Sequence, residues 1–138
     1  MPTLSPPTQR LTTDYVDIPL LHTTYELYKL FHQGLKSFPK TEKYSLGARI
    51  EQYILDTLEL IIRTAYAPKA DRLKYLEDLD AKIQLLKTLI RLAHEIRSLD
   101  DNKYLALQEH LQAMGKMAGG WLRSIRGNTN VPMPSRDV

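Results

Sequence analysis

Between Ile83 and Leu99 the chain reads IQLLKTLIRLAHEIRSL, and at 3.6 residues per turn Ile83, Leu86, Leu89, Ile90, Ala93 and Ile96 form one apolar stripe. Leu85, Leu92 and Leu99 widen that stripe, leaving only a strip of Gln84, Lys87, Arg91, Glu95 and Ser98 for water. A helix on the outside of a monomer needs an apolar arc of about 100° or somewhat more. Here the arc approaches half the circumference, more than one bundle core can take. The expectation is a central helix of an all-α domain, with one edge buried in its own bundle and another against copies of itself.

The same periodicity recurs on both sides. Leu20, Thr24, Leu27, Phe31 and Leu35 give a first helix from Asp17, with Pro19 tolerated in its first turn, to about Ser37. Gly34 loosens its last turn and Pro39 ends it. A second helix spans about Thr41 to Tyr66 on Leu46, Ile50, Tyr53, Ile54, Thr57, Leu58, Ile61 and Ala65, with Leu55 and Ile62 on a neighbouring face. Gly47 inside it costs about 1 kcal/mol relative to alanine, which points to close approach of another backbone. After Ala67-Pro68-Lys69-Ala70, Asp71 is the candidate cap of a third helix running to Leu99. Asp100-Asp101-Asn102 then interrupts, and a fourth helix runs from about Asn102 to Ile125 on Tyr104, Leu107, Leu111, Met114, Ala118, Trp121, Leu122 and Ile125, with Gly127-Asn128 as its stop. Long helices on short links predict an up-and-down antiparallel four-helix bundle over residues 17–126, with tails at 1–16 and 127–138.

The 138 residues suffice for one domain with a real core. With no cysteine, disulfides, thiolate zinc sites and thiol nucleophiles are excluded. No apolar run approaches the roughly 20 residues of a membrane span, and MPTLSPPTQR does not read as a signal peptide, so a soluble, cytoplasmic protein is expected. The net charge of +3 is modest but unevenly placed. Charges balance up to Tyr66, whereas from His110 to Gly127 the cations Lys116, Arg123 and Arg126 meet no acid. Such a basic bias is a weak pointer to nucleic acid, and oligomerisation would multiply its field.

No catalytic constellation is legible. Gly-x-Ser-x-Gly, a phosphate-binding glycine loop and HExxH are all absent, and so is the Glu-x-x-His of di-metal bundles. His94-Glu95 and Glu109-His110 are adjacent pairs that point apart, so both histidines read as boundary residues and no metal or cofactor is expected. Tyr25, Tyr28, Tyr53 and Tyr104 read as core and interface. The most specific local feature is Lys116-Met117-Ala118-Gly119-Gly120-Trp121-Leu122-Arg123. Two adjacent helical glycines cost about 2 kcal/mol together, so a compensating reason is expected. Either they admit a neighbouring helix or the bulk of Trp121, or a partner surface or phosphate backbone approaches between Lys116 and Arg123, with Arg126 adding charge. Lys87 and Arg91 could continue that charge, with Arg97 near the helix end, although Arg91 can equally pair with Glu95 one turn on.

Four segments in order, Phe38-Pro39-Lys40, Tyr44-Ser45-Leu46-Gly47-Ala48-Arg49-Ile50, Leu89-Ile90-Arg91-Leu92-Ala93-His94-Glu95 and Met114-Gly115-Lys116-Met117-Ala118-Gly119-Gly120-Trp121-Leu122, resemble the accessory variability determinant (Avd) proteins of diversity-generating retroelements. The likeness spans about Pro19 to Arg126. It implies a four-helix bundle assembled as a homopentameric barrel. It also implies a non-catalytic subunit that binds the element's reverse transcriptase and template RNA to support mutagenic complementary-DNA synthesis. A related branch, encoded in intervening sequences of ribosomal RNA genes, shares the bundle and supplies the alternative: an oligomeric scaffold with a protein partner but no RNA. On the first reading Lys87, Arg91, Arg97, Lys116, Arg123 and Arg126 are the polyanion contacts, while Gly47, Gly119, Gly120 and Trp121 belong to structure.

Overall fold

The computed structural model describes residues 17–128, which are all helix and short links. The tails expected at either end therefore lie outside the described residues, except for residues 127 and 128. Helix α1 is Asp17–Leu35. Helix α2 is composite, with an α-turn at Lys40–Glu42, a π-helical turn at Lys43–Gly47 and an α-helical body at Ala48–Tyr66. Helices α3 and α4 are Lys69–Glu95 and Asp101–Asn128. Each helix packs on the next, and α4 closes the ring against α1, as an up-and-down bundle requires.

The predicted stripes form the core, except that Ile96 of the third-helix stripe is 44% exposed. From α1 come Leu20, Leu27 and Phe31, from α2 Ile50, Ile54 and Ile61, from α3 Leu76, Leu79, Ile83, Leu86, Ile90 and Ala93, and from α4 Leu107, Leu111, Met114, Ala118, Trp121 and Ile125, all buried. Three threonines enter this apolar layer without leaving a hydroxyl stranded. Thr24, Thr57 and Thr64 donate to the carbonyls of Leu20, Tyr53 and Leu60, at 2.8, 2.7 and 2.7 Å. Arg72 reaches back from α3 to donate to the Ala65 carbonyl at 3.1 Å, satisfying one of the acceptors orphaned at the end of α2.

Several boundaries differ from those predicted, each for a local reason. Helix α1 stops at Leu35 rather than Ser37, because the amides of Ser37 and Phe38 turn back to the carbonyls of Gly34 and Leu35, and Phe38 folds into the core. Asp71 does not cap α3. The helix starts earlier, at Lys69 behind Pro68, and the Asp71 amide bonds the Pro68 carbonyl at 2.9 Å. Nor does α3 reach Leu99. It ends at Glu95, Arg97 adopts a left-handed φ of 67°, and the amides of Ser98 and Leu99 both return to the Ala93 carbonyl, at 2.8 and 3.3 Å. This is a helix stop of the kind usually made with glycine, and the Cβ of an arginine there costs about 1 kcal/mol. Leu99 is buried from the loop, not from the helix. At the other end α4 runs past Ile125 and includes Gly127 and Asn128.

The glycines divide into two kinds. A Cβ on Gly47 would overlap the Leu35 Cδ1 and lie 3.2 Å from both Phe38 Cδ2 and the Glu42 carbonyl oxygen. Gly47 therefore admits two core side chains at the π-turn, where the sequence suggested a second backbone. Around Gly119 and Gly120, in contrast, no other helix comes near: beyond its immediate chain neighbours, a Cβ at either would meet Arg123 of the same helix, at 3.5 and 3.9 Å. Opposite outcomes follow for the same substitution. Gly120→Ala is expected to raise stability by about 1 kcal/mol through helix propensity alone. Gly47→Ala is expected to lower it by about 1 kcal/mol or more, because overpacking outweighs the propensity gain. Thermal denaturation of the two variants checks this pair.

Candidate nucleic-acid interface

The six candidate cations do not form one patch. Lys87 lies along the α3–α4 seam. Its backbone carbonyl accepts a bond from Gln108 Nε2 at 3.2 Å, and its ammonium crosses to Gly115, where a Cβ would sit 3.3 Å from Nζ. Lys116 follows at once on α4 and is exposed. Two turns further along, Arg123 lays its guanidinium back over Gly119 and Gly120. Lys87, Lys116 and Arg123 are thus brought to one run of α4 whose backbone is covered by cationic side chains rather than by a neighbouring helix.

The other three are placed differently. Arg91 is exposed and faces Glu95 at 3.7 Å, the pairing foreseen from their four-residue spacing, which contributes a few tenths of a kcal/mol at most. Arg97 sits in the α3–α4 turn, whereas Lys116 lies about 22 Å along α4 from its first residue at 1.5 Å per helical residue. Arg126 is drawn inward: its side chain is only 11% exposed and bonds Glu77 of α3 at 3.1 Å. A guanidinium so enclosed is a poor phosphate contact, and the partner responsible lies 49 residues away, where no local spacing could disclose it.

Two polar clusters have no counterpart in the sequence reading. Glu51 of α2 accepts from the Tyr28 hydroxyl at 3.0 Å and bonds His32 Nδ1 at 2.9 Å, while the two rings of α1 stack 5.8 Å apart. Burial first, and then the Glu51 carboxylate, push the Tyr28 hydroxyl above its ordinary pKa. At the α3–α4 turn His94 Nε2 donates to Asp101 at 2.7 Å and its ring stacks on Tyr104 at 4.1 Å. His110 bonds the Ala106 carbonyl at 3.0 Å through Nδ1. His94 and His110 are thus boundary residues bonded within the bundle. Among the described residues no group of three or more His, Cys, Asp or Glu is placed to hold a metal ion, and no helix is long and apolar enough to cross a membrane.

A good deal of apolar surface stays uncovered. On α3 and its cap Leu85, Leu92 and Ile96 are 37%, 43% and 44% exposed, and on α2 Leu55, Ile62 and Tyr66 are exposed to a similar or greater degree at the same spacing. Tyr25, expected in the core or an interface, is 55% exposed, whereas Tyr28, Tyr53 and Tyr104 pack against the core.

The family described as bAvd-like matches the chain over residues 20–125, which is the bundle from its first buried leucine to its last buried isoleucine. No curated protein matches it. The contrast between the two α4 arginines has a direct consequence for stability. Arg126→Ala is expected to cost about 1–2 kcal/mol, through the lost packing of its stem and its bond to Glu77, while Arg123→Ala leaves the denaturation midpoint within about 0.5 kcal/mol of the parent. Urea denaturation of the two variants measures the difference.

Proposed function

The chain belongs to the bAvd-like family, and from that premise we propose that it is a non-catalytic accessory subunit of a diversity-generating retroelement, binding template RNA and reverse transcriptase to support mutagenic complementary-DNA synthesis. The observation that carries this reading is the coincidence of the family match with the whole bundle. In the same reading the subunit is cytoplasmic and acts as a homo-oligomer, a pentamer by family resemblance, with neighbours covering the exposed apolar positions of α2 and α3. Repetition of the subunit multiplies a charge that is modest in one copy.

RNA would lie first on the face where Lys87, Lys116 and Arg123 converge. A phosphate there would meet the Arg123 guanidinium where it lies over Gly119 and Gly120, and no acid lies between His110 and Gly127. Arg91 and Arg97 extend the contact toward the α3–α4 turn, and Arg126 contributes through long-range field rather than direct contact. The modest charge and the pairing of Arg91 and Arg126 favour the second reading to a degree: a scaffold with a protein partner and no RNA.

Titration with structured RNA over a range of salt separates the two. Affinity is expected to fall steeply with salt, and Lys116→Ala/Arg123→Ala to shrink the log–log slope by roughly one unit per cation removed. Salt-independent binding, or a double variant that binds like the parent, removes these residues from the interface. Absence of RNA binding near physiological salt leaves the scaffold.

A further inference from the structure

The turn joining α3 to α4 lines a cavity of about 680 Å³ that the cationic face of α4 does not reach. Five of the carboxylate and cationic groups on its rim already have partners. Asp100 accepts the Lys103 backbone N–H at 2.8 Å through Oδ1 and the Lys103 ammonium at 3.4 Å through Oδ2. These bonds, the backbone one foremost, hold its carboxyl below the ordinary range. Asp101 accepts from His94 at 2.7 Å. Glu95 faces Arg91 at 3.7 Å, and Lys103 also reaches Ser37 Oγ at 3.3 Å.

Two groups on the same cavity are left over. Ser98 is 3% exposed, yet its Oγ has no hydrogen-bond partner among the described residues, a costly state for a buried hydroxyl. Beside it the exposed Arg97 has no acidic partner among the described residues and occupies a left-handed position that glycine would fill with less strain. One uncommitted cation with a five-donor fork and one buried, uncommitted hydroxyl are complementary to a compact anion with several acceptor oxygens. The nearby carboxylates oppose such an anion less than their number suggests, since each already faces a cation or an N–H.

We propose that Arg97 and Ser98 form a phosphate-binding subsite at the α3–α4 turn, with Lys103 and the His94–Asp101 pair closing its rim. The phosphate is either a free anion or a phosphodiester of a bound RNA strand, and only the second possibility rests on the RNA-binding reading above. Strain at Arg97 is then the cost of placing a guanidinium where the helix stop alone would favour glycine.

The test is a two-dimensional amide NMR titration of the full chain at constant ionic strength, with sodium chloride as reference. Inorganic phosphate is added in one arm and a short single-stranded oligoribonucleotide in the other. Saturable shifts centred on the amides of residues 97–103 are expected. Ser98→Ala is expected to weaken binding roughly tenfold, the loss of one hydrogen bond to a charged group. Arg97→Gly is expected to abolish the shifts while raising the Tm, a combination that misfolding cannot produce. Saturation by phosphate alone identifies a free anion. Saturation by the oligonucleotide, reversed by phosphate, identifies RNA. No saturable shift in either arm, or an Arg97→Gly chain that binds like the parent, overturns the subsite. That failure leaves RNA binding through Lys116 and Arg123 untouched, because salt dependence measures it separately.

Discussion

A helix can turn only part of its surface to the core of its own bundle, and α3 carries more apolar surface than that part. Leu76, Leu79, Ile83, Leu86, Ile90 and Ala93 use the inward share fully. Leu85, Leu92 and Ile96 fall outside it, and α2 repeats the pattern with Leu55, Ile62 and Tyr66. A single exposed leucine is ordinary on any protein, but runs on two adjacent helices at matching intervals are not scattered in that sense. Covering the uncovered part of one such side chain contributes on the order of 1 kcal/mol. Association costs at least about 4 kcal/mol, so several of these positions must be covered together before copies of the chain hold to one another.

The same economy governs charge. One copy carries a formal +3, and the bundle itself consumes part of it, most plainly where Arg126 is folded against Glu77. Of the six candidate cations, Lys87, Lys116 and Arg123 gather along the Gly119–Gly120 stretch of α4, and Arg97 stands at the end of the bundle. Helix stability is given up at both places, through two glycines that no helix of the bundle requires and through an arginine in a left-handed turn. Local rules broken without a compensating contact inside the fold are where function is to be sought.

The architecture was largely legible in the sequence because four amphipathic periods separated by proline or by aspartate and asparagine leave few alternatives. The inward stripes of α1 and α4 are buried as their spacing predicts, with Tyr104 only partly so. The end of α3 was misread for a physical reason: Leu99 falls at helical spacing from Ile96 and is indeed buried, but by a reversed loop whose stop signal is an arginine instead of a glycine. Candidate cations were identifiable as residue types, while their standing was not. That depended on partners such as Glu77, and on whether anything packs against Gly119 and Gly120, neither of which is encoded in local pattern. The Glu51 and His94 clusters stayed hidden because their members lie on different helices or across a turn.

The mass of the folded chain in solution tests the central claim most directly. Sedimentation equilibrium at micromolar concentration is expected to give an oligomer, which Leu85→Lys/Leu92→Lys dissociates into folded subunits of the 15.9 kDa chain with unchanged helical content. A parent chain that sediments as a stable monomer over that range would contradict the account, because the uncovered leucines would then have no copy to meet.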